Sequence, residues 1–537
     1  MYKIMQVFNS RFILCVVIIV LTLSLGLQSL HASPRKKNNP SLRVSSNEPL
    51  LYFFGYVPLG NTSISRTIRF STQDVTSSLT ISCPAGFELS KNNNSFTTSI
   101  QYTAAELSQD MTCYVRFRPT EINKGYGGTV SFGAVGVQVQ RPDLSGSSLP
   151  ESLTLDVVNW NLEWFGGSLG PSDDDRQMFY AGKVMDSLNA DIYVLQEIVD
   201  TARLGALARS LQNGPYDYAV SLYASNSNNQ LNGNWSSGQK LAFIYRKTFF
   251  SNVISRGFTQ FSNRSDNSYN WANGRFPFLL ESNVTIDGIT KKIIFLSVHG
   301  KAELGDYDDY LRRKGASDLM YDSLNFVYPT NHVLIAGDYN DDLDQTISSR
   351  YPGSPTPYIA FMNDQFRYSP LSYWNTIRGD NSYIGYPNMV DHSIASNEMQ
   401  ADYVPFSCVV RKDVETLVPF YSQDLSDHYP IQSRFYFRQS SINQVTPVTQ
   451  QVRLDIPFRT IYVNGKPSSL IFKRGMPRQF TIECRNNAGQ LIWKLQRTGI
   501  SAGTVLSLPS IPIANGVHHI ILRSDEGVFV SRVLQMQ

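Results

Sequence analysis

The sequence predicts a mixed α/β central domain with a small all-β sandwich domain on either side. Short alternating strands, punctuated by Gly, Pro and Asn, fill residues 49–139 and again residues 453–537, and this spacing is typical of small β-sandwiches. Over residues 152–438, apolar strands alternate with amphipathic helices, as in α/β domains. Polar segments at 140–151 and 439–452 separate these parts and predict linkers. A chain of 537 residues is long enough for several domains.

Residues 1–33 have the layout of a secretory signal peptide. Lys3 and Arg11 precede an apolar run, Phe12 to Leu27, and small residues follow it. An uncleaved membrane anchor is the alternative, but the run is short for a membrane span. The polar segment 34–48 then predicts a linker. We expect no transmembrane span once the signal peptide is removed, and a secreted or surface-attached protein.

The formal net charge of +3 places few limits on the substrate. Lys3 and Arg11 belong to the predicted signal peptide, so the rest of the chain is closer to neutral. This balance excludes a strongly cationic nucleic-acid coat protein, but it leaves room for a local basic groove.

Four cysteines follow the predicted signal peptide: Cys83, Cys113, Cys408 and Cys484. Export permits disulfides, and Cys83 and Cys113 fall in the same all-β segment. The sequence leaves open whether these two form a bridge. Because no Cys-x-x-Cys pair occurs in the sequence, we do not expect a thiolate zinc site.

Polar side chains gather at the ends of the apolar strands of the central domain. The strand "LTLDVVNWN" ends on Asn159 and Asn161, which strand alternation places on one face although Asn is a poor strand former. The other polar residues at strand ends are Glu197 in "IYVLQE", His299 in "IIFLSVHG", Asp338 and Asn340 in "HVLIAGDYND", and Asp427 and His428 in "SDHYP". Buried strands with polar ends are how α/β enzymes build a site on a rigid sheet.

An ordered set of motifs spans residues 152–438. In chain order these are "NWN", "LQE", "GRFPF", "SVHG", "GDYND", "VDH" and "SDHYP". The set resembles the endonuclease/exonuclease/phosphatase superfamily of deoxyribonuclease-I-like metal phosphoesterases, with "GDYN" and "SDHYP" as its most specific parts. The resemblance implies a two-layer β-sandwich flanked by helices, with the site at one end of the sheets. It also implies a metal-dependent phosphodiesterase.

The resemblance implies a divalent metal held by oxygen ligands. Glu197, Asp338 and Asp427 are the implied metal ligands, with help from Asn340. A hard cation such as Mg²⁺ prefers a few carboxylate oxygens and keeps waters for the substrate, and Mn²⁺ or Ca²⁺ are the alternatives. The metal would neutralise phosphate charge and polarise the phosphorus–oxygen bond.

The resemblance also assigns the acid–base residues. His428 would be the general base, oriented by Asp391 of "MVDHS", and His299 would act as an acid or a phosphate donor. One departure affects His299. Gln239 stands where deoxyribonuclease-I-like members place a Glu that partners the first His, and Gln cannot stabilise an imidazolium by charge.

Three further residues are implied as phosphate contacts. Asn161 would contact phosphate or orient the nucleophile, and Asn340 would do similar work beside the catalytic Asp338. Arg275 of "GRFPF" matches a substrate-binding, phosphate-contacting Arg.

A secreted nuclease acting on DNA or RNA is the first hypothesis for function. Superfamily members also cut sphingomyelin and inositol phosphates, so the fold alone does not choose the substrate. Trp235 and Trp271 stand isolated and do not form the aromatic hairpin usual in sphingomyelinases. Arg264, Lys301 and the basic run 312–314 would add phosphate-backbone contacts. The alternatives are a sphingomyelinase-like or other phosphoesterase, and a surface adhesion protein whose phosphoesterase domain is inactive.

The flanking domains carry weaker resemblances. The segments "SCPAGFELS", "YVRFRPT" and "YGGTVSFG" are similar to bacterial immunoglobulin-like modules, whose role is spacing or adhesion. The last 85 residues, with "NNAGQLIWK" and "ANGVHHIIL", resemble the sorting domain of proteins exported by type IX secretion. This resemblance implies export through the outer membrane with the type IX machinery as partner. The sequence does not indicate the oligomeric state.

Overall fold

The computed structural model describes most of the chain. The described residues are 39–227, 234–259, 265–303, 305, 307–438, 458–463, 466–472, 475–476, 479–486, 491–509, 516–524 and 527–535. The predicted signal peptide and the predicted linker 439–452 lie outside them. Within these ranges, no helix combines the length and the apolar character needed to cross a membrane.

The N-terminal domain is an all-β sandwich, as predicted. Its two sheets, with four and five strands, are ordered β1-β3-β7-β5 and β2-β9-β8-β4-β6. The strands are β1 Ser41–Val44, β2 Leu51–Tyr56, β3 Arg66–Gln73, β4 Leu79–Ser82, β5 Phe87–Ser90, β6 Ser99–Tyr102, β7 Met111–Phe117, β8 Gly125–Ala134 and β9 Val137–Ser147. Side chains such as Ile68, Phe117 and Phe132 alternate inward from both sheets and form one buried core.

The boundaries of this domain differ from the prediction. Strand β1 lies within the predicted linker 34–48, and β9 extends through most of the predicted linker 140–151. The end of β9 is buried and pairs with β2 and β8. The Ser- and Gly-rich composition of this segment suggested a loop, but its small residues pack within the sandwich and against the central domain. The Ser145 hydroxyl, for example, donates to the Phe406 carbonyl at 2.7 Å.

The sandwich packs directly on the central domain through two glycines of β8. A Cβ atom added to Gly127 would lie 2.3 Å from the Phe406 ring, and one on Gly125 would lie 2.5 Å from the Pro405 carbonyl oxygen. Real Cβ atoms do not approach other atoms so closely, so the backbone of β8 needs Gly at these positions. The two domains therefore meet in a close-packed interface.

We expect Gly127→Ala to lower the free energy of unfolding by about 1–3 kcal/mol, because its methyl group forces the interface apart. Gly133→Ala is the matched control: it lies in the same strand, and an added Cβ would meet nothing within 4 Å. Urea unfolding of the two variants gives the comparison. Equal stabilities would contradict the close packing at Phe406.

All four cysteines after the predicted signal peptide are free thiols in the structure. Cys83 and Cys113, whose pairing the sequence left open, are not bridged. The Cys83 thiol instead donates to the Phe87 carbonyl at 3.0 Å. Cys113 is buried in β7 as a small apolar residue.

The central domain is a two-layer β-sandwich flanked by helices, which confirms the predicted fold class. Each layer is a six-stranded sheet, ordered β12-β13-β11-β10-β21-β20 in the first and β14-β15-β16-β17-β19-β18 in the second. The strands are β10 Thr154–Phe165, β11 Ile192–Ile198, β12 Tyr216–Ala224, β13 Lys240–Arg246, β14 Phe250–Gly257, β15 Phe278–Ile286, β16 Ile289–His299, β17 His332–Asp338, β18 Tyr368–Pro370, β19 Asp391–Ser396, β20 Val409–Val410 and β21 Ile431–Tyr436.

Helices cover the outer faces of this sandwich. They are α1 Asp174–Leu188, α2 Thr201–Ser210, α3 Ser265–Asn270, α4 Tyr307–Val327, α5 Ile359–Asn363, α6 Tyr373–Ile377, α7 Asn397–Gln400 and α8 Tyr421–Asp424. Strand alternation explains how both faces of a sheet are apolar. In β16, Ile293 and Phe295 join the core that contains residues of both sheets, whereas Ile294 and Leu296 join the core beneath α4. Such strands read as continuous apolar runs.

Parallel pairing brings the polar strand ends together. Strands β10 and β11 are parallel neighbours, and so are β16 and β17. Parallel neighbours end at the same edge of a sheet, and His299 pairs directly with Asp338 in this register. The Asn159 amide donates to the Gly337 carbonyl at 3.1 Å and so joins the two sheets just below that edge.

The C-terminal domain is also all-β in its described residues. Its two sheets are ordered β22-β23-β26 and β25-β24-β27-β28. The strands are β22 Phe458–Val463, β23 Lys466–Phe472, β24 Phe480–Asn486, β25 Leu491–Arg497, β26 Val505–Ser507, β27 Gly516–Ser524 and β28 Gly527–Gln535. Leu470, Phe480 and Ile482 lie in its core. The "NNAGQ" part of the sorting-domain resemblance falls mainly outside the described residues.

Candidate active site

A buried histidine–aspartate pair lies at the polar end of the sandwich. Nδ1 of His428 is 2.7 Å from Oδ2 of Asp391, and both side chains are buried. Asp391 begins β19 of the second sheet, whereas His428 precedes β21 of the first, so the pair spans both layers. Burial alone would lower the pKa of His428, but Asp391, followed by Asp338 and Asp427, outweighs it and raises the pKa well above its usual value.

Asp338 lies at the centre of the site. Its Oδ2 is 3.8 Å from Nε2 of His428 and accepts a hydrogen bond from the Asn161 amide at 3.0 Å. The same Asn161 amide also donates to Oε1 of Glu197 at 3.2 Å. Burial raises the pKa of Asp338 to about 7, and it also raises the pKa of Glu197. The sequence predicted a strand that ends on Asn161, but β10 continues to Phe165. The buried Asn161 amide is satisfied because two carboxylates accept its protons.

His299 faces the same carboxylates but carries no charge of its own. Its Nε2 is 3.4 Å from Oδ2 of Asp338 and 3.7 Å from Oε1 of Glu197. Burial, reinforced by Arg275 and His428, lowers the pKa of His299 well below its usual value. A neutral imidazole favours the predicted role of phosphate donor over that of general acid.

Arg275, which the sequence predicts as a phosphate contact, is enclosed by protein groups beside His299. Its side chain is 2% exposed, and its guanidinium donates to the carbonyls of His299, at 3.3 Å, and Gly300, at 2.8 Å. It also donates to the Gln239 side chain. The guanidinium thus has protein carbonyls as partners, and its predicted substrate-binding role stays a prediction. Gln239 therefore accepts a hydrogen bond from Arg275. The family resemblance had placed a partner of His299 at this position.

Asn340 and Asp427 complete the predicted set. The Asn340 backbone N–H donates to Oδ1 of Asp338 at 2.8 Å, and its amide donates to the Gly300 carbonyl at 3.3 Å. Oδ1 of Asp427 lies 3.8 Å from Nε2 of His428, and the Asp427 side chain is 30% exposed. The structure thus brings every predicted site residue to one end of the sandwich, with Arg275 buried beside His299.

Glu163 is a site residue that the sequence analysis missed. Burial, with a further contribution from Asp427, raises its pKa to about 7, and Glu197 acts in the same direction. The signal in the sequence was the i, i+2 spacing of residue 163 from Asn161. In the structure the pairing of β10 with β11 is irregular after Asn161, and the Glu163 backbone N–H donates to the Asn161 side-chain oxygen at 2.9 Å.

Left-handed backbone conformations cluster at this end of the domain. Glu163, Trp164, Glu197 and Asn340 have φ values of 44°, 49°, 64° and 51°. Such values are uncommon outside glycine, and they are found where surrounding structure enforces them, often at functional sites. Part of that enforcement is visible at Glu197, whose Oε2 accepts the Trp164 backbone N–H at 3.0 Å.

The donor set fits a hard divalent cation. Ligand atoms of Glu197, His299 and Asp338 all lie within 4.8 Å of one another, and a second such group joins Asp338, Asp391 and His428. Carboxylates crowd together here, and the pKa values of Glu197 and Asp338 are raised. A bound cation would therefore offset both the burial of these groups and their mutual repulsion. Oxygen-rich sites of this kind suit Mg²⁺, Mn²⁺ or Ca²⁺ better than softer metals.

The sequence matches the profile of the Endonuclease/Exonuclease/phosphatase family over residues 158–428. The chain belongs to this family. The matched region contains the whole site described above, from Asn161 to His428. Members are hydrolytic phosphoesterases that depend on a divalent metal, in agreement with the donor set.

Solved structures with a similar fold include an endonuclease/exonuclease/phosphatase from Beutenbergia cavernae DSM 12333. Its sequence is 14% identical, the match covers 71% of this chain and 99% of that chain, and the TM-score is 0.41. The human Nocturnin catalytic domain is 14% identical and covers 53% of this chain and 95% of its own, with a TM-score of 0.34. A mannosyl-6-phosphatase from Bacteroides thetaiotaomicron VPI-5482 is 13% identical and covers 53% and 100%, with a TM-score of 0.33. No curated protein matches the sequence.

We expect metal affinity to rise between pH 6 and pH 8. The pKa values of Asp338 and Glu163 are raised to about 7, so both carboxyls are largely protonated below that pH. A metal that binds carboxylates must displace these protons. Calorimetric titration of Mn²⁺ in buffers of different ionisation enthalpy counts the protons released. Binding at pH 6.5 without proton release would contradict the assigned ligands.

Proposed function

We propose that the protein is a divalent-metal-dependent phosphodiesterase with His428 as its general base. The supporting observation is the buried His428–Asp391 pair, whose free Nε2 points to Asp338 and Asp427, 3.8 Å from an oxygen of each. A cation held by Asp338 and Asp427 would offset the negative charge that raises the pKa of His428. The unprotonated Nε2 would then take a proton from the attacking water. The Asp391 carboxylate holds Nδ1–H, fixes the tautomer and stabilises the imidazolium that forms.

The other polar residues bind and orient the phosphate. Glu197 and Asp338, with Asp427 and Glu163, would hold the metal, which supplies charge neutralisation and polarisation of the phosphorus–oxygen bond. The Asn161 amide gives its two N–H donors to Glu197 and Asp338 and so orients these two carboxylates.

A nucleic acid is our first proposal for the substrate, and the test must compare substrate classes. The basic residues predicted to contact its backbone are partly used elsewhere. Arg313 is buried against Asp341, 3.0 Å away, and Lys314 pairs with Asp318. Arg264 lies outside the described residues. Phosphate binding would therefore rest on the metal and on the asparagines more than on a basic surface.

A small polyhydroxylated phosphate ester is the second candidate, favoured by a cavity of about 580 Å³. The cavity is lined by Asn226, Tyr269, Lys301, Glu303, Asp308, Asp309 and Arg312. Lys301 follows His299 by two residues and pairs with Glu303 and Asp309, at 3.2 and 3.3 Å. Carboxylates at this position would repel a polyanionic backbone, whereas they accept hydrogen bonds from hydroxyl groups.

The deciding experiment measures turnover of plasmid DNA, RNA, sphingomyelin and a sugar phosphate with Mg²⁺, Mn²⁺ or Ca²⁺, before and after EDTA. We expect metal-dependent, EDTA-sensitive cleavage of DNA or RNA. Turnover of the sugar phosphate alone would favour the second candidate. No turnover of any of these substrates would refute the proposed enzymatic activity. The alternative, an adhesion protein with an inactive phosphoesterase domain, would then be favoured.

We also propose that the protein is exported. The signal-peptide layout of residues 1–33 and the sorting-domain resemblance of residues 453–537 support this. Cell fractionation should find the full chain at the surface or in the medium, and a chain without residues 453–537 in the periplasm. Equal export of both chains would refute a sorting role for the C-terminal domain.

A further inference from the structure

The interface between the N-terminal sandwich and the central domain contains a buried charge pair. The Asp143 carboxylate of β9 lies 3.8 Å from Nη1 of Arg378, and the two side chains are 7% and 8% exposed. Arg378 directly follows helix α6 of the central domain. A buried arginine needs partners of opposite charge, so this residue is held from both domains.

Arg378 is also bonded to the segment that follows it, so the contact with Asp143 helps to fix the position of that segment. Its Nη2 is 3.0 Å from Oδ2 of Asp380, and it also donates to the Asn375 side chain. Asp380 accepts the backbone N–H of Asn381 at 3.0 Å. The Asn381 amide then donates to the Tyr383 carbonyl at 2.8 Å. Residues 378–383 are thereby held as one ordered turn.

That turn contacts both members of the catalytic pair. The Ser382 hydroxyl accepts the backbone N–H of Asp391 at 2.9 Å, and the Ser382 carbonyl accepts the N–H of Tyr429 at 2.8 Å. The Tyr383 ring meets the His428 ring edge to face, with centroids 4.9 Å apart. The backbone of Asp391 and that of Tyr429, the residue after His428, are thus both bonded to this turn.

We propose that Ser382 and Tyr383 are positioning residues for the His428–Asp391 pair, and that the N-terminal sandwich holds them in place through Asp143 and Arg378. This inference rests on the proposed function of the pair. It makes the N-terminal domain part of the catalytic unit, in place of the spacing or adhesion role expected from its sequence. Small displacements of a base relative to its substrate lower turnover strongly, so a distant restraint of this kind affects the rate.

The test compares Asp143→Asn and Ser382→Ala in the full chain. Asn keeps the shape of Asp143 and an oxygen for the Thr129 hydroxyl, which donates to it at 2.6 Å, but removes the charge facing Arg378. We expect kcat to fall about 10- to 100-fold in both variants with KM unchanged. Asp110→Asn, an exposed acid in the same sandwich, is the matched control and should keep wild-type kcat.

A second measurement does not depend on turnover. The His428 Nδ1 proton held by Asp391 should give a low-field proton NMR resonance, absent from His428→Ala, that shifts or broadens in both test variants. Wild-type kcat and an unchanged resonance in folded Asp143→Asn would refute the role of the sandwich. The same result in Ser382→Ala would refute the positioning turn. If the wild-type protein has no turnover, the proposed function is refuted. The resonance would still show whether the sandwich and the turn position the His428–Asp391 pair.

Discussion

Replacing His428 with alanine is expected to lower kcat by about 10²- to 10⁴-fold, the usual contribution of a general base. His428 is the residue whose Nε2 faces the reaction space while Nδ1 is held by Asp391 at 2.7 Å. The variant should stay folded, because the backbone N–H of residue 428 still donates to the Ser426 hydroxyl. Steady-state kinetics at saturating metal, with circular dichroism as the folding check, measure the effect.

His332→Gln is the control for this variant. His332 begins β17, at the end of the strand opposite Asp338, and its Nε2 lies 3.7 Å from Asp402. Removing that histidine should leave kcat within about twofold, because His332 lies far along the strand from the site. The fold should also be kept, because a partly exposed ion pair contributes little to stability. Retained turnover in His428→Ala, or an equal loss in both variants, would rule out the assigned base.

Glu197→Gln is expected to weaken divalent-metal binding by at least about 10- to 100-fold and to lower turnover in parallel. The Glu197 carboxylate accepts the Asn161 amide on one oxygen and the Trp164 N–H on the other. A glutamine would remove the negative charge and point an NH₂ group at one of these donors. The metal would then lose a ligand, and the loop after Asn161 would lose an acceptor.

Mn²⁺ binding followed by electron paramagnetic resonance measures this affinity without any substrate. Glu281→Gln is the matched control, because Glu281 lies in β15 of the same domain and pairs with Lys292. We expect that variant to bind Mn²⁺ like the wild type. Wild-type Mn²⁺ affinity in Glu197→Gln would exclude Glu197 as a ligand.

Much of the central fold and site is readable from local patterns. Continuous apolar runs that end on Glu197, His299 or Asp338 predicted buried strands and the edge at which they meet, because a strand buried on both faces tolerates polar residues only where it ends. The resemblance of "VDH" and "SDHYP" to known phosphoesterases added Asp391 and His428 as partners, although a long stretch of chain separates them.

Other features depended on packing that no local pattern expresses. Arg275 looked like a phosphate ligand, yet it folds inward to hold the carbonyls of His299 and Gly300. Residues 140–151 looked like a linker, yet Asp143 and Ser145 bond across a domain interface. Whether an arginine or a serine faces solvent or another element is decided by residues distant in sequence.

The sequence by itself determined the α/β class of the central domain, the all-β class of its neighbours and the polar ends of the strands, because these follow from periodicity and side-chain chemistry within a few residues. Only the tertiary structure decided that Glu163 joins the carboxylates, that His299 is neutral, and that the N-terminal sandwich reaches the catalytic pair through Arg378. Burial, pKa values and ion pairing arise from the summed field and packing of distant elements. They exist only once the chain is folded.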